Sequence, residues 1–210
     1  GYGTDSFDEV RWNNATHVIG KDILRFHAAI WPGMLLSAGL ALPKKILVHG
    51  HITSGGQKMS KSLGNVIDPQ EILDMFKVAA GELYGEALRY VLLYKIPSYE
   101  DGDLTMESIR ETYTSHLANG IGNLTSRIMK MVTTHNIRLG IISYSLSEEL
   151  VEHLAASNVN KAITTLMFKV SALDLKIQTE EPFKKIKNDE TKEEAKKLME
   201  VLLQELAKIA

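Results

Sequence analysis

The chain contains no cysteine among its 210 residues. This absence excludes disulfide bonds and thiolate metal sites, and it is compatible with a reducing compartment. Seven histidines are present, but no two of them stand at the i, i+4 spacing of a helical zinc site. The sequence therefore offers no motif for a zinc ion.

Long apolar runs and a strong charge of one sign are also absent. No run approaches the ~18 apolar residues that a membrane-spanning helix needs, and no basic-then-apolar signal segment opens the chain. The net charge is −2, so the overall field does not attract nucleic acid and any RNA contact requires a local patch. With 44% apolar and 24% charged residues, the composition is that of a globular protein.

The first third of the chain mixes helical and strand patterns. Residues 20–40 carry apolar side chains at helical spacing, and Pro32 is expected to kink that helix or end its first segment. The run "KKILVHGHIT" predicts a buried strand over 46–53, and a glycine-rich loop follows it. This order of helix, strand and loop is typical of an α/β fold.

The remainder of the chain has the patterns of helices. Asp68 is a predicted N-cap, a long amphipathic helix is predicted from Thr105 onward, and Ser145 with Glu148 predicts a capping box for a later helix. Antiparallel helices with short polar connections indicate a bundle. The predicted fold class is therefore α/β followed by all-α, with the boundary in the acidic turn 98–105.

The loop "SGGQKMSKSLGN", residues 54–65, is the strongest candidate for a functional segment. Its two glycines allow a backbone to approach a ligand closely, and its lysines are mobile point charges suited to a polyphosphate. That chemistry fits the stabilisation of pyrophosphate as it leaves an α-phosphorus. On composition alone, an exposed lysine loop without a ligand is the commoner explanation. The groups concerned are Gly55, Gly56, Lys58, Ser60, Lys61 and Ser62.

The pentapeptide "KMSKS" in this loop, residues 58–62, resembles the signature of class I aminoacyl-tRNA synthetases. The upstream run "HVIGKDILRFHAAIWPGML", residues 17–35, is similar to the pattern H-x-x-G-K-D-x-x-x-F-H-x-x-x-W-P-x-x-L of methionyl-tRNA synthetases. "VHGHIT" before the loop and "SLGNVIDP" after it agree with the same family. The resemblance covers essentially the whole chain.

The resemblance implies an ATP site. Lys61 would be the main phosphate contact and Lys58 would assist it, while Gly20 and Asp22 would bind the ribose region. Adenine would contact the backbone of Ile52, with the side chain of His49 nearby, and the hydroxyl groups of Ser60 and Ser62 would face the phosphates. Without the resemblance, Asp22 is equally well explained as a helix N-cap and Ile52 as strand packing.

The resemblance also implies a methionine pocket made by Ile23, His27 and Trp31, which follow one another at intervals of one helical turn. An apolar, polarizable surrounding suits a thioether. Taken alone, His27 on an apolar face is more often a core histidine than a ligand contact. Ile30 stands where several family members have an aromatic residue.

In the helical half, the resemblance implies that Asn123 and Arg127 contact the CAU anticodon. Their i, i+4 spacing places an amide and a guanidinium side by side, which suits the edges of unstacked bases. Without the resemblance, an exposed polar helix face explains them better. Phe183 follows Pro182 where the family usually has tryptophan, so a stacking face is kept and the indole donor is lost.

The resemblance implies two functional parts: residues 1–103, the C-terminal part of a Rossmann-like catalytic domain with its KMSKS and stem-contact region, and residues 104–210, a truncated anticodon-binding bundle. No HIGH motif, the other signature of class I, occurs in the sequence. We therefore interpret the chain as a C-terminal fragment that lacks the HIGH-containing half.

The implied activity is that of a methionine–tRNA ligase segment in the cytoplasm. Its expected partners are methionine, ATP with Mg²⁺, tRNA(Met) and the missing N-terminal catalytic half, with no zinc site and no membrane. An alternative is a catalytically inactive tRNA-binding module. A third is a helical interaction protein in which KMSKS is incidental.

Overall fold

The computed structural model describes residues 8–140 and 145–209. Contacts between Cα atoms divide the chain into two compact units. The first comprises Gly1–Val66 and Ile96–Leu104, and the second, the helical unit, comprises Ile67–Lys95 and Thr105–Ala210. Compactness does not test a functional boundary, so the division at 103/104 stays a prediction.

The first unit is built around a pair of parallel strands. After the short helix α1, Glu9–Asn13, strand β1, Thr16–Gly20, pairs in register with β2, Lys45–His49. Parallel strands require a crossover connection. Here it consists of a 3₁₀ turn at Lys21–Ile23, a π-helical turn at Phe26–Ile30 and helix α2, Trp31–Ser37.

The crossover agrees with the predicted interruption of the helix at Pro32. Helix α2 begins at Trp31 and carries Pro32 in its first turn, but Ile30 and Trp31 already have helical backbone angles, so the winding changes here without a new helix start. The π-helical turn precedes it directly. The chain therefore changes its winding just before this proline.

The single buried strand predicted over 46–53 is wrong in two respects. The side chains of β2 are half-buried or exposed, and the strand ends at His49. A second strand, β3, Ile52–Ser54, then begins in a different sheet with the order β4-β3-β5. The break occurs at Gly50, where an added Cβ would lie 2.1 Å from the carbonyl oxygen of Glu100. Long-range packing against this glycine thus separates the two strands.

The second sheet holds the loop of residues 54–65. β3 pairs antiparallel with β4, Gln57–Lys58, and parallel with β5, Gly102–Asp103. A 3₁₀ turn at Lys61–Leu63 follows β4.

The second unit is helical. Asp68 caps α3 by accepting a hydrogen bond from the Gln70 N–H at 2.8 Å, as predicted. The long helical stretch starts at Thr105 as predicted; Thr105 is its N-cap, and Ser108 completes a capping box there. The helices are α3, Pro69–Ala80; α4, Tyr84–Lys95; α5, Met106–Thr112; α6, Asn123–Thr134; α7, Glu148–Ala155; α8, Val159–Glu180; α9, Pro182–Lys185; and α10, Lys192–Ile209. A 3₁₀ turn, Gly81–Leu83, precedes α4, and a π-helical segment, Tyr113–Gly122, joins α5 to α6.

Helices α6, α8 and α10 supply the main core of this unit. Each contributes buried apolar side chains at intervals of three or four residues, as amphipathic helices do. The predicted Ser145/Glu148 capping box is wrong, because α7 begins at Glu148 itself and its N-cap is Ser147. The core side chains include Leu124, Ile128, Val132, Val170, Leu173, Ile177, Ala195, Met199 and Leu202.

Within residues 8–140 and 145–209, no helix has both the length and the apolar character that crossing a bilayer requires.

Candidate nucleotide and RNA site

The ends of the two parallel strands bring Gly20, Asp22 and His49 together. Gly20 and His49 are register partners at the carboxyl ends of β1 and β2. A Cβ added to Gly20 would lie 2.6 Å from Oδ1 of Asp22 and 3.8 Å from Cε1 of His49. Crevices at the carboxyl ends of parallel strands are the usual ligand sites of α/β folds. The structure thus groups three of the residues predicted to contact ATP.

The two polar side chains at this edge have defined orientations. Nδ1 of His49 lies 2.8 Å from the carbonyl oxygen of Gly50. Because a carbonyl only accepts, Nδ1 donates, and the Nε2 atom of a neutral ring is left as an acceptor. Asp22 lies inside the 3₁₀ turn that Gly20 caps, so it is not the N-cap residue. Its exposed carboxylate is available to a ligand.

Within the loop that carries Lys58 and Lys61, the side chain of Asn65 bonds to the backbone on both sides of Met59. Oδ1 of Asn65 accepts from the Ser60 N–H at 2.8 Å, and its Nδ2 donates to the Lys58 carbonyl at 3.2 Å. The hydroxyl oxygens of Ser60 and Ser62 lie 2.6 Å apart. Asn65 therefore fixes the backbone between the two lysines, while their side chains are left to move.

Both lysine side chains are exposed, and neither Lys58 nor Lys61 forms a salt bridge within the described part of the chain. Lys21, in contrast, is bound to Asp101, with its Nζ 2.5 Å from Oδ1. That bond, together with the His51 N–H, holds the pKa of the Asp101 carboxyl below its usual value. Within residues 8–140 and 145–209, the two loop lysines thus have no ion-pair partner that an anionic ligand must displace.

Two aspartates that the sequence patterns did not single out fasten the loop at its base. Oδ1 of Asp103 accepts from the Thr53 hydroxyl and from the Gly56 N–H, each at 2.8 Å. Oδ1 of Asp101 accepts from the His51 N–H, also at 2.8 Å. The turn at Gly56 has a positive φ of 75°, which favours glycine. The only signal in the sequence was the pair of carboxylates around a glycine in "DGD".

A cavity of about 600 Å³ lies beside β1 and the crossover. His27 and Trp31 both line it, and Ile23 does not. Ile23 instead contributes its carbonyl oxygen, which lies 3.0 Å from Nδ1 of His27. The lining residues are His17, Val18, Ile19, Phe26, His27, Ile30, Trp31 and Met34.

The Trp31 side chain is an unusual feature of this cavity wall. Its indole Nε1 is buried and has no hydrogen-bond partner among the residues that the structure describes. The ring of Trp12 meets it edge-on, with the centroids 6.4 Å apart. A buried donor without a partner costs free energy, so a ligand acceptor at this position would be favoured.

In the helical unit, Arg127 and Phe183 line one cavity of about 450 Å³. Phe183 is 41% exposed, so its ring is accessible to a stacking partner. Asn123 lies one turn before Arg127 at the start of α6, exposed and outside the lining of this cavity. The other lining residues are Lys130, Met131, Thr134, His135 and Ile177.

A family model described as "tRNA synthetases class I (M)" matches residues 4–129. The chain belongs to the methionyl-tRNA synthetase family. Its predicted membership is confirmed, and the matched region includes the first unit from residue 4 onward and the helical unit as far as residue 129.

Curated relatives support the same membership. The methionine–tRNA ligase of Rhizobium meliloti (strain 1021) is 36% identical over 85% of this chain and 36% of its own length. The methionine–tRNA ligase of Fusobacterium nucleatum is 35% identical over 98% of this chain and 34% of its own length. The chain thus spans about a third of the length of these methionyl-tRNA synthetases.

Solved structures of the family have the same fold. The chain is similar to the Mycobacterium tuberculosis methionyl-tRNA synthetase in complex with methionyl-adenylate, with a TM-score of 0.83 and 27% identity. The match covers 100% of this chain and 43% of that one. The fold is therefore that of class I tRNA synthetases, with mixed helices and few strands.

Metal-binding geometry is not evident in the residues that the structure describes. Among residues 8–140 and 145–209, no three His, Asp or Glu side chains are grouped so that they could hold a metal ion.

Proposed function

We propose that this chain supplies the KMSKS loop and the anticodon-binding surface of a methionine–tRNA ligase. The observation that carries the proposal is the register pairing of Gly20 with His49 at the carboxyl ends of β1 and β2. β1 continues directly into the turn that holds Asp22, and the chain beyond β2 leads through β3 to Lys58 and Lys61. Ribose, adenine and phosphate contacts thus arise from adjoining segments of one unit.

In the first reaction, a carboxylate oxygen of methionine attacks the α-phosphorus of ATP, and the bond from that phosphorus to the pyrophosphate oxygen breaks. Negative charge accumulates on the leaving pyrophosphate. Lys61 leads and Lys58 assists in stabilising this charge. The Ser60 and Ser62 hydroxyls are hydrogen-bonded to each other, so one of them donates within this pair and the other donates to a phosphate oxygen. Magnesium arrives with ATP as part of the substrate. The methionyl group of the adenylate then passes to the terminal adenosine of tRNA(Met), and AMP leaves.

We assign nucleoside binding to the carboxyl ends of β1 and β2 and to the adjoining strand β3. The Asp22 carboxylate accepts hydrogen bonds from the ribose hydroxyls, and Gly20 leaves room for the sugar. The ladder bonds to β5 involve the carbonyls of His51 and Thr53, so the backbone groups of Ile52 point to the other side of β3, on which β4 pairs with Thr53 and Ser54. The proposed adenine contact is with the backbone of Ile52. His49 lies at the carboxyl ends of β1 and β2, beside Gly20.

The cavity with His27 and Trp31 is the proposed methionine site. The thioether sulfur lies against the aromatic wall, which is polarizable and apolar. The carbonyl of Ile23 fixes the His27 ring, so Ile23 acts through its backbone.

Thermal unfolding with a non-hydrolysable methionyl-adenylate analogue tests the nucleotide site. At a hundredfold excess over its dissociation constant, a ligand stabilises the folded state by about 2.7 kcal/mol, which raises the melting temperature by several degrees. The matched control is the same nucleoside analogue with another amino acid, for which we expect a smaller shift. Equal shifts with both analogues would contradict methionine selectivity.

The anticodon surface is proposed on the cavity shared by Arg127 and Phe183. The Phe183 ring stacks on the wobble cytosine, while Arg127 and Asn123 bind base edges of the CAU triplet. Binding of this chain to a hairpin with a CAU loop, compared with one whose first loop base is changed, tests the proposal. Equal affinity for both RNAs would contradict it.

A second candidate function concerns the chain acting alone. The sequence contains no HIGH motif, so we propose that this chain binds tRNA in isolation and activates methionine only with a HIGH-containing catalytic half. Pyrophosphate exchange should be absent from the chain alone and arise on mixing the two parts. The cytoplasmic location, the absence of a zinc site on this chain and the absence of a membrane contact belong to the same proposal.

A further inference from the structure

One side chain of the helical unit holds Arg127 from a neighbouring helix. Nη1 of Arg127 on α6 donates to Oδ1 of Asp174 on α8. The second oxygen, Oδ2, accepts from Nε2 of Gln178 at 2.5 Å, one turn further along α8. Both oxygens of Asp174 are therefore occupied, and the carboxylate is fixed from two sides.

The position of this ion pair differs from that of most others in the described helices. Pairs such as Lys208 with Glu205 join residues three apart on exposed faces, and such pairs contribute little to stability. The Arg127–Asp174 pair links two helices, and each side chain is only 33% exposed. A carboxylate in this position restricts the guanidinium more than a surface partner does.

The two partners face different cavities. Arg127 lines the cavity that contains Phe183, whereas Asp174 and Gln178 line a separate cavity of about 360 Å³ between the π-helical segment and α8. The carboxylate thus approaches the guanidinium from a side other than that of Phe183. A guanidinium is planar and carries five N–H donors, so a bond at one edge sets the direction of the rest.

We propose that Asp174 is a positioning residue for anticodon recognition. It holds the Arg127 guanidinium so that its remaining donors face the base bound beside Phe183, and Gln178 holds Asp174 in turn. The inference rests on the proposed anticodon surface and adds to it the residues that orient its arginine.

The sign of the effect separates this role from simple electrostatics. A carboxylate close to RNA repels phosphates, so removing its charge should by itself strengthen the binding of any RNA. A positioning role predicts the opposite for the correct loop, because an unrestrained guanidinium loses its alignment with the base edge.

The experiment measures dissociation constants of the full 210-residue chain for two hairpins, one with a CAU loop and one with the first loop base changed. We expect Asp174→Asn to weaken CAU binding by about tenfold, the size of one lost base-edge contact, and to leave the changed hairpin nearly unaffected. Asp174→Glu keeps the charge and should recover most of the affinity. The matched control is Glu193→Gln, which removes a carboxylate paired with Lys196 on an exposed face and should change neither constant.

Two further variants test the route through Arg127. Arg127→Ala should weaken CAU binding, and adding Asp174→Asn to it should produce no further loss, as a double-mutant cycle requires for residues that act as a unit. Gln178→Ala removes an exposed amide that the fold does not need, and should weaken CAU binding by about threefold. This variant also tests the inference if Asp174→Asn fails to fold.

The outcomes distinguish this inference from the proposed function. If the unaltered chain does not discriminate between the hairpins, both fail. If Arg127→Ala weakens CAU binding but Asp174→Asn binds CAU as well as or better than the unaltered chain, only the positioning role fails. Fully additive losses in the double variant, or an unchanged preference for CAU in Gln178→Ala, would also overturn it.

Discussion

Tyr90 and His116 are joined by a hydrogen bond of 2.9 Å between the phenolic oxygen and Nδ1 of the imidazole. Tyr94 packs against the same imidazole, with the ring centroids 4.3 Å apart. Burial raises the pKa of the Tyr90 phenol, and burial followed by the charge of Lys95 lowers the pKa of His116. Both groups are therefore neutral near pH 7.

This arrangement makes the stability of the helical unit dependent on pH. Because the pKa of His116 is lower in the folded chain than its ordinary value of 6.5, the unfolded chain binds protons first as the pH falls. The contribution is complete above pH 6.5 and is lost as the pH falls toward the folded-state pKa. We expect the melting temperature to fall by about 2 °C more between pH 7.5 and 5.5 than in a His116→Gln variant.

The matched control for this pH effect is His135→Gln in the same unit. That variant should retain the pH dependence of the unaltered chain. An identical pH profile for His116→Gln and the unaltered chain would show that the Tyr90–His116 bond is not responsible.

Gly50 should not tolerate a side chain. Its Cβ would meet the carbonyl oxygen of Glu100 at 2.1 Å, and this contact is with backbone that cannot rotate away. We expect Gly50→Ala to destabilise the first unit by about 2–4 kcal/mol, measured by urea unfolding. Gly85→Ala, where no atom lies within 4 Å of the new Cβ, is the control and should stay within about 1 kcal/mol.

Gly20→Ala tests the proposed nucleotide site and should disturb the fold less than Gly50→Ala does. The new Cβ would lie 2.6 Å from Oδ1 of Asp22, a side-chain atom that is able to move. The chain should fold, but the displaced carboxylate should reduce the thermal shift produced by the adenylate analogue to less than half. Gly33→Ala, with no atom within 4 Å of its Cβ, should preserve that shift. If the adenylate analogue still produced its full thermal shift in Gly20→Ala, the ribose would not bind beside Gly20 and Asp22.

Lys61→Ala tests the charge that we assign to the reaction. In a mixture with a HIGH-containing catalytic half, we expect pyrophosphate exchange to slow by about a hundredfold or more, since a charge contact to the leaving group is lost. Affinity for the CAU hairpin should not change. The control is Lys208→Ala, which removes a lysine paired with Glu205 on α10. Normal exchange in Lys61→Ala would remove this lysine from the mechanism.

The sequence was sufficient for some of the local elements. The α3 N-cap at Asp68 and the helix start at Thr105 follow from short-range capping chemistry, which a few consecutive residues encode. Gly20 and His49 come together because the parallel strands β1 and β2 end at one edge, but the sequence patterns predicted only the second of these strands, so this grouping was expected from the family resemblance alone.

Features that depend on distant parts of the chain could not be predicted. The strand breaks at Gly50 because of backbone fifty residues later, which no local pattern contains. Ile23 misses the cavity because the crossover starts as a 3₁₀ turn and continues as a π turn, so uniform α-helical spacing does not apply. The sequence does not distinguish Asp174 from other polar helix residues, because its contact with Arg127 arises only from the packing of α8 against α6.

The π-helical segment Tyr113–Gly122 sets the rotation of α6 about the helix axis, because α6 continues directly from it. Along an α-helix, a step of four residues such as Ile109 to Tyr113 rotates the chain by about 40° more than one full turn. The wider π-helical winding rotates less per residue and so reduces this excess rotation. Gly120, whose Cβ would lie 2.9 Å from the Ser115 carbonyl, makes room for the crowded backbone. The direction in which Arg127 points around the helix axis therefore depends on the number of residues in this preceding segment. Deleting one residue between 113 and 122 would rotate Arg127 about the axis by roughly 100°, although the sequence of α6 would be unchanged.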